Sequence, residues 1–510
     1  MTDTPRTGEP PAVTRHDVAR GAGLAALARL GALIEVVAQP AYTWLFGVAT
    51  YGVYTVLWAA VNIVENIVDL SMTQALQRVV PAADEDNAHA AVRLALIVSV
   101  GPALLIAALA TLAAEPLAAL VSAAPADRAQ LPLAITLFAW ALPLWTFVEV
   151  ATSAARARRA FGPEIRLRIF WEQVGRLALA VLLFALGLDS LGLLAAHLGS
   201  LALTALLSAR LLARYYDPAR LLSARGVPGL AANLLGSGIA LLPSAVSRRL
   251  FNDLPAILLN LALPGAQGAV AAGLFGIARK IASIPLIVRQ AFQYVLAPLA
   301  TAQAAHDRAG MREIYGFATR LSIVLVVPLS ALLMLIAADM LRLFAPEAMA
   351  ALPLVTILVL GRAGEALVGP ATPIVEMTGH RLLPLVNSLA GLALWALIGW
   401  WLVPAMGATG MAWAVSAGTV LIAWAATVEL RLSDGLAAFD GAAWRALGVA
   451  IGASGLLWAL GGLLALTGGA PRAIGLVLLF WPLLWLTLRL GLPAADRAGL
   501  GKGARRLRLA

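Results

Sequence analysis

The chain has no cysteine, which excludes disulfides, thiolate nucleophiles and cysteine-ligated metals. It is also poor in charge. Asp, Glu, Lys and Arg make up 13% of its 510 residues, against about 25% in soluble globular domains. Soluble domains are excluded on that ground. Disorder is excluded from the other side, because 61% of the residues are hydrophobic and the mean hydropathy is +0.87, whereas unfolded chains are poor in apolar residues. The sequence carries no GxxxxGK[ST] phosphate loop and no HExxH pair, so neither an internal ATP motor nor a zinc hydrolase is indicated. The five histidines (His16, His89, His197, His306 and His380) are isolated, and no metal site is expected. Four of them fall in the arm and loops and read as solvated.

A polytopic, all-α membrane protein remains. Its apolar residues lie in helix-length blocks rather than in the alternating ten-residue strands of a barrel, and about 20 residues suffice to cross the hydrocarbon. Fourteen spans are expected: 19–45, 51–78, 92–114, 131–155, 166–188, 190–211, 230–260, 269–298, 314–337, 350–377, 382–403, 407–430, 442–466 and 473–490. The spans at 51–78 and 230–260 contain charges, and Pro353, Pro370 and Pro373 interrupt the one at 350–377. The first block lacks a small-residue cleavage site and is too long for a signal peptide, so it is read as a retained helix.

The net charge of +10 is chiefly topological. With the N-terminus inside, the cytoplasmic segments hold 26 of the 37 basic residues and the outward loops three (Arg128, Arg342 and Arg472). That asymmetry is the positive-inside pattern, and it places both termini in the cytoplasm. No basic segment forms a folded unit of its own, so nucleic acid is not an expected partner. Membrane lipids are, through the basic segments at the surface.

Eight basic residues lie inside spans, where each costs at least about 2.5–3.5 kcal/mol at a helix centre unless it faces protein or a wet cavity. The first span carries Arg29 and Glu35; the second carries Asn62, Glu65, Asn66 and Asp69. Those four positions share one helix face and must point into a bundle. The seventh span carries Arg248, Arg249, Asn252 and Asp253, and the eighth Arg279, Lys280, Arg289, Gln290 and Gln293. Arg249 and Asp253 sit one turn apart and can pair. Snorkelling to the interface is an equal reading for Arg29, Glu149, Glu172, Arg289, Arg362 and Glu376. The group Arg248, Arg249, Arg279 and Lys280, with only Asp253 near it in sequence, leaves a positive surplus suited to a phosphate or pyrophosphate headgroup, a structural salt-bridge network being the other reading. The last third differs. Nine of the fourteen tryptophans fall from Trp395 onward, and its helices read as lipid-facing.

An internal repeat is also visible. Phe46-Gly47 precedes Tyr51-Gly52-Val53-Tyr54 in one half, and Pro264-Gly265 precedes Gly273-Leu274-Phe275-Gly276 in the other. Six spans separate the two points, which suggests parallel six-helix lobes.

The stretch Phe46 to Tyr54, with the later Val68-Asp69-Leu70-Ser71, resembles the "LGxxxFGxY…DLG" opening of the polysaccharide transporter family, and Asn252-Asp253 through Ala278 to Pro298 resembles its second-lobe counterpart. That family belongs to the superfamily of multidrug, oligosaccharidyl-lipid and polysaccharide exporters. The chain departs from the pattern at Ser71, where the family has glycine, and in its fourteen spans, where many members have twelve. The resemblance implies two six-helix lobes in an inverted V plus two C-terminal helices. The corresponding bounds are an arm at 1–18, lobes at 19–215 and 230–432 joined by a linker at 216–229, helices at 433–490 and a basic tail at 491–510. It also implies a flippase of the bacterial inner membrane, not an enzyme, carrying an undecaprenyl-pyrophosphate-linked saccharide by alternating access. Arg248, Arg249, Arg279 and Lys280 would hold the pyrophosphate. Glu35, Asn62, Glu65, Asn66, Asp69 and Asp253 would supply cavity polarity, balance the cations or carry a coupling H+ or Na+. No other cofactor is implied. The partners would be the anionic lipid-linked saccharide, membrane lipids and other polysaccharide-assembly proteins, with the chain itself a monomer. A lipid II flippase, a multidrug or cation antiporter and, more remotely, an enzyme acting on lipid-linked sugar are the alternatives.

Overall fold

The computed structural model describes residues 32–158, 166–224, 226–287, 308–377, 382–464, 469–500 and 508. Among these, every regular element is helical. Hydrocarbon offers the backbone no hydrogen-bond partner, so a spanning chain bonds to itself along a helix. The long helices are α1 (Ala32–Val68), α2 (Met72–Val79), α3 (Glu85–Leu112), α4 (Leu131–Ala139), α5 (Ala141–Ala157), α6 (Glu172–Ala185), α7 (Ser190–Tyr215), α8 (Leu230–Ala262), α9 (Gly265–Ile281), α10 (Arg308–Leu341), α11 (Leu352–Ala366), α12 (Leu383–Met406), α13 (Ala408–Ser433), α14 (Gly441–Leu464) and α15 (Gly469–Gly491).

Eleven helices among the described residues are long and apolar enough to cross a membrane. By that measure the expected fourteen are not reached, and three places account for the difference. The first two expected spans run together as α1, which is kinked at Gly47 (φ 81°, ψ 159°), a backbone conformation that only glycine adopts freely. The fifth begins as a π-turn at Arg166–Trp171, leaving α6 with 14 residues. The eighth is α9, 17 residues long, and its expected remainder runs largely outside the described residues, as do Arg29, Arg289, Gln290 and Gln293.

The second expected span is broken again at Leu70 (φ 47°) and Ser71 (φ 57°). The turn is held by Asp69, whose carboxylate accepts from the Thr73 amide (3.3 Å), the Thr73 hydroxyl (2.9 Å) and the Ser99 hydroxyl on α3 (3.2 Å). Asp69 therefore satisfies a first-turn amide of α2, whose N-cap residue is Ser71. Ser71 occupies a left-handed position that suits glycine, the residue its resembling family carries there, and its buried hydroxyl has no hydrogen-bond partner.

The first lobe gathers α3, α5, α6 and α7 around α1, and the second gathers α10 to α13 beside α8 and α9. Helices α14 and α15 lie against α10 through two apolar seams, one around Val324, Ala446 and Leu492 and one around Leu335, Leu457 and Leu476. A buried ion pair fastens them. Arg320 on α10 donates to Asp496 at 2.6 and 3.1 Å and to Asp440 at 2.9 Å. Counted by sequence among the topological cations, Arg320 is instead a buried clamp (6% exposed). The lipid-facing reading of this region holds for Trp400, Trp401, Trp444, Trp458 and Trp481, all exposed, whereas Trp395 is buried against Phe251.

Two stability changes follow. Ser71→Gly relieves the left-handed strain and the unpartnered hydroxyl, and is expected to stabilise the protein by about 1 kcal/mol, read as a higher thermal midpoint of the purified protein. Asp496→Asn leaves the Arg320 guanidinium short of a buried partner. It is expected to destabilise the contact of α14 and α15 by about 3–5 kcal/mol, measured as faster proteolysis between residues 433 and 500.

Candidate functional site

The site grows from one face of α1. Tyr51, Tyr54, Trp58, Asn62 and Glu65, with Asp69 just past the end of the helix, follow one another at steps of three or four, and the 18 steps from first to last correspond to five helical turns. All are buried except Trp58, which is partly so. The stripe changes character along its length, aromatic in the half toward Gly47 and amide and acid in the half toward Asp69. Only the polar half is conspicuous in sequence. The aromatic half reads there as ordinary core. Asn66 lies beside the stripe, its side-chain oxygen buried without a hydrogen-bond partner. The side chain of Glu35 lies outside the described residues.

Facing it, α8 and α9 bring the expected cations together. Asp253 (2% exposed) is their centre. It accepts from Arg279 at 2.9 Å and lies 3.7 Å from Arg249, which also comes within 4.0 Å of Glu65 on α1. Arg279 donates in addition to the Asn252 carbonyl. The surplus is thus smaller than sequence proximity indicated. Glu65, nearly two hundred residues away in the chain, supplies a second carboxylate, so Arg249 and Arg279 meet two acids. Arg248, one position and about 100° from Arg249 on the helix, stands on an exposed face of α8.

Between these walls lies a cleft lined by Gln39, Tyr42, Tyr51, Tyr54, Thr55, Trp58, Arg176, Gly276, Arg279 and Lys280. It is narrow, with a cavity volume of about 20 Å³. Arg176 is the member that sequence reasoning undervalued. It pairs with Glu172 at 2.5 Å inside the lobe and donates to the Tyr54 hydroxyl at 3.2 Å. The Glu172–Arg176 spacing of four residues on one helix was the available signal. Glu172 is 3% exposed, so its side chain is buried rather than reaching for the interface. Arg362 likewise pairs with Glu365, at 2.6 Å.

Two histidines differ from the solvated expectation or add to it. His89 is 3% exposed. Its Nδ1 lies 2.6 Å from the Glu85 carbonyl and its Nε2 accepts from the Asp217 amide at 3.1 Å, so it staples α3 to the end of α7. Beside it Arg158 forks onto Glu85 at 2.7 and 2.8 Å, and burial pushes the Tyr216 hydroxyl above its usual range. His197 is wholly buried, its ring 4.2 Å from that of Trp58. His16, His306 and His380 lie outside the described residues.

The lobes close on each other at both ends of the cleft, so the expected V is shut in this structure. The two halves of the repeat form the seam. A Cβ on Gly52 would lie 1.8 Å from the Ala269 carbonyl oxygen, and one on Gly273 would lie 2.5 Å from that of Val48. Beyond the seam, at the end expected to face outward, Asn260 on α8 clasps Ser122, accepting from its amide at 2.9 Å and donating to its carbonyl at 2.8 Å. Trp44 donates to the Leu343 carbonyl at 2.8 Å. At the opposite end α8 crosses the Leu70–Met72 turn at Gly238, where a Cβ would meet the Leu70 oxygen at 2.4 Å.

Two helical lobes packed around a polar cleft define a class of membrane transporter fold. The chain superposes on the lipid II flippase MurJ in an inward closed conformation with a TM-score of 0.69 and 9% identity, over 92% of this chain and 97% of that one. A MATE transporter of Vibrio cholerae gives 0.58 at 14% identity over 82% and 98%. A transporter of the MOP superfamily from Pyrococcus furiosus gives 0.58 at 14% over 82% and 94%. At such identities the shared property is the fold. No curated protein sequence matches the chain. The family described as polysaccharide biosynthesis protein matches residues 18–302, more than half the length, and the protein belongs to that family.

The seam is testable in a chain without cysteine. Cysteines placed at Ser122 and Asn260 are expected to cross-link readily on oxidation. Adding Gly52→Val, which has no space beside Ala269, should reduce the cross-linked fraction severalfold on a denaturing gel.

Proposed function

We propose that this protein is a flippase that moves an undecaprenyl-pyrophosphate-linked saccharide across the bacterial inner membrane by alternating access, with both termini cytoplasmic. The observation that carries the reading is the cationic lining of the inner walls, where Arg279 and Lys280 face the cleft and Arg249 stands between Glu65 and Asp253. Cations at membrane depth are stable only beside anions, protein or water, and arginine forks match phosphate oxygens bidentately. Membership of the polysaccharide biosynthesis family supplies the saccharide.

In this mechanism the tight seam at Gly52 and Gly273 and the crossing at Gly238 open alternately. Pro243 and Pro255 inside α8 give that helix the bending points such motion needs. When the pyrophosphate enters, it competes with Asp253 for Arg279 and Arg249, and the carboxylate is released toward Glu65. A coupling proton or sodium ion would compensate the two acids at that moment. The isoprenoid tail stays in lipid.

A multidrug or cation antiporter of the same fold is disfavoured by the same wall. An organic cation would find aromatic faces at Tyr51 and Trp58, but Arg176, Arg279 and Lys280 line that space as well and repel it. A lipid II flippase differs only in the saccharide carried. The test is translocation of a pyrophosphate-linked lipid in proteoliposomes. The double variant Arg279→Gln with Lys280→Gln is expected to lower transport about a hundredfold or more at subsaturating substrate, since each charged hydrogen bond is worth about 1.5–3 kcal/mol. Unimpaired transport by correctly inserted variant protein would remove the assignment.

A further inference from the structure

The cationic wall accounts for the pyrophosphate and leaves the opposite wall without a task. That wall is built by α1, from Gln39, Tyr42, Tyr51, Tyr54 and Trp58 on both sides of the Gly47 kink, with Arg176 of α6 beside them. Its chemistry is unlike that of the polar stripe below it. Tyr51 and Tyr54 lie with ring centroids 5.9 Å apart, and Tyr54 is fixed through its hydroxyl by Arg176. Trp58 is braced from behind by Trp145 at 5.3 Å and by His197 at 4.2 Å. Neither ring nitrogen of His197 has a hydrogen-bond partner, so this imidazole acts as a flat support. The result is a set of aromatic faces held rigidly at the edge of a cleft.

Gln39 is the second, independent sign of a ligand. It is 3% exposed, lines the cleft, and its side-chain oxygen has no hydrogen-bond partner. A buried acceptor left unmade is costly, and such groups in a native cleft mark a place where a donor arrives from outside.

We propose that Gln39, Tyr51, Tyr54 and Trp58 form a saccharide subsite that binds the sugar attached directly to the pyrophosphate, while Arg279 and Lys280 on the facing lobe hold the phosphates. This deepens the flippase reading and rests on it. A pyranose ring presents a face of C–H bonds, which lies favourably over the electron-rich face of an aromatic ring, and its hydroxyls are the donors that the Gln39 oxygen lacks. The two walls belong to different lobes, so the sugar–phosphate junction bridges the seam. The narrow space of the closed cleft means that the sugar reaches this wall only when the lobes part.

The experiment measures binding of two probes to the full-length protein in nanodiscs: undecaprenyl pyrophosphate, and the same lipid carrying a single hexose. The protein is expected to bind the glycosylated lipid about tenfold more tightly, the sum of one stacking contact and one hydrogen bond. Trp58→Leu and Gln39→Met are expected to remove that preference and to leave binding of the bare lipid unchanged. Arg279→Gln weakens both probes alike. Gln39→Met keeps the length and packing of the side chain, so retained bare-lipid binding certifies its fold independently of Trp58. Equal binding of the two probes by the unaltered protein, or a preference that survives Gln39→Met and Trp58→Leu, would overturn the saccharide subsite and leave the flippase reading standing. Failure of the unaltered protein to bind either probe would overturn both.

Discussion

A charge sunk into hydrocarbon must be met by another charge, by a hydrogen bond or by water, and that constraint organises this molecule from its core outward. Asp253 meets it by drawing in Arg279 and Arg249, Glu172 by closing on Arg176 within one helix, and Arg320 by reaching across to Asp440 and Asp496. These three solutions have different consequences. The pair on α6 is complete within its own helix and stiffens the aromatic wall through Tyr54. The Arg320 clamp is complete within the second lobe and its appended helices, so it fixes a static joint. Among the described residues, the Asp253 group is the one of the three that spans the lobes, through Arg249 and Glu65. A network shared between two lobes is the one that a ligand entering between them meets.

The seam between the lobes is governed by shape rather than charge. Apolar attraction does not drive helices together in lipid as it does in water, so close approach of backbones has to supply the association. Gly52, Gly273 and Gly238 permit such approach at both ends of the cleft. The glycines that mark the repeat in the sequence are therefore the two surfaces of a single joint. Their recurrence reflects what each half must offer the other.

Much of the architecture was legible because it follows from one-dimensional chemistry. Span positions follow from apolar length, and the polar face of α1 follows from the spacing of Asn62, Glu65 and Asp69. What escaped was either backbone geometry or long-range pairing. The kink at Gly47 and the turn at Ser71 joined and divided spans in ways that hydropathy averages over. Glu65 and Arg249 are partners that no local spacing connects, and Arg320 carries the same letter as a topological arginine although it is buried. The aromatic half of the α1 stripe was hidden for another reason. Tyr51, Tyr54 and Trp58 serve equally well as core and as cleft wall, and only the juxtaposition with Gln39, Arg176 and Arg279 separates the two.

The clasp of Asn260 on Ser122 is asymmetric in what it asks of its two sides. The asparagine contributes its side-chain amide, whose donor and acceptor have the spacing of a peptide group. Ser122 answers with its own backbone amide and carbonyl, and its hydroxyl adds a bond to Leu263. Any residue except proline carries the groups that the asparagine reads. The loop around residue 122 can thus drift in sequence while the closure stays shut, and the burden of keeping it falls on a single fully buried side chain on the facing helix. Variation among related chains should collect on the loop and spare the asparagine.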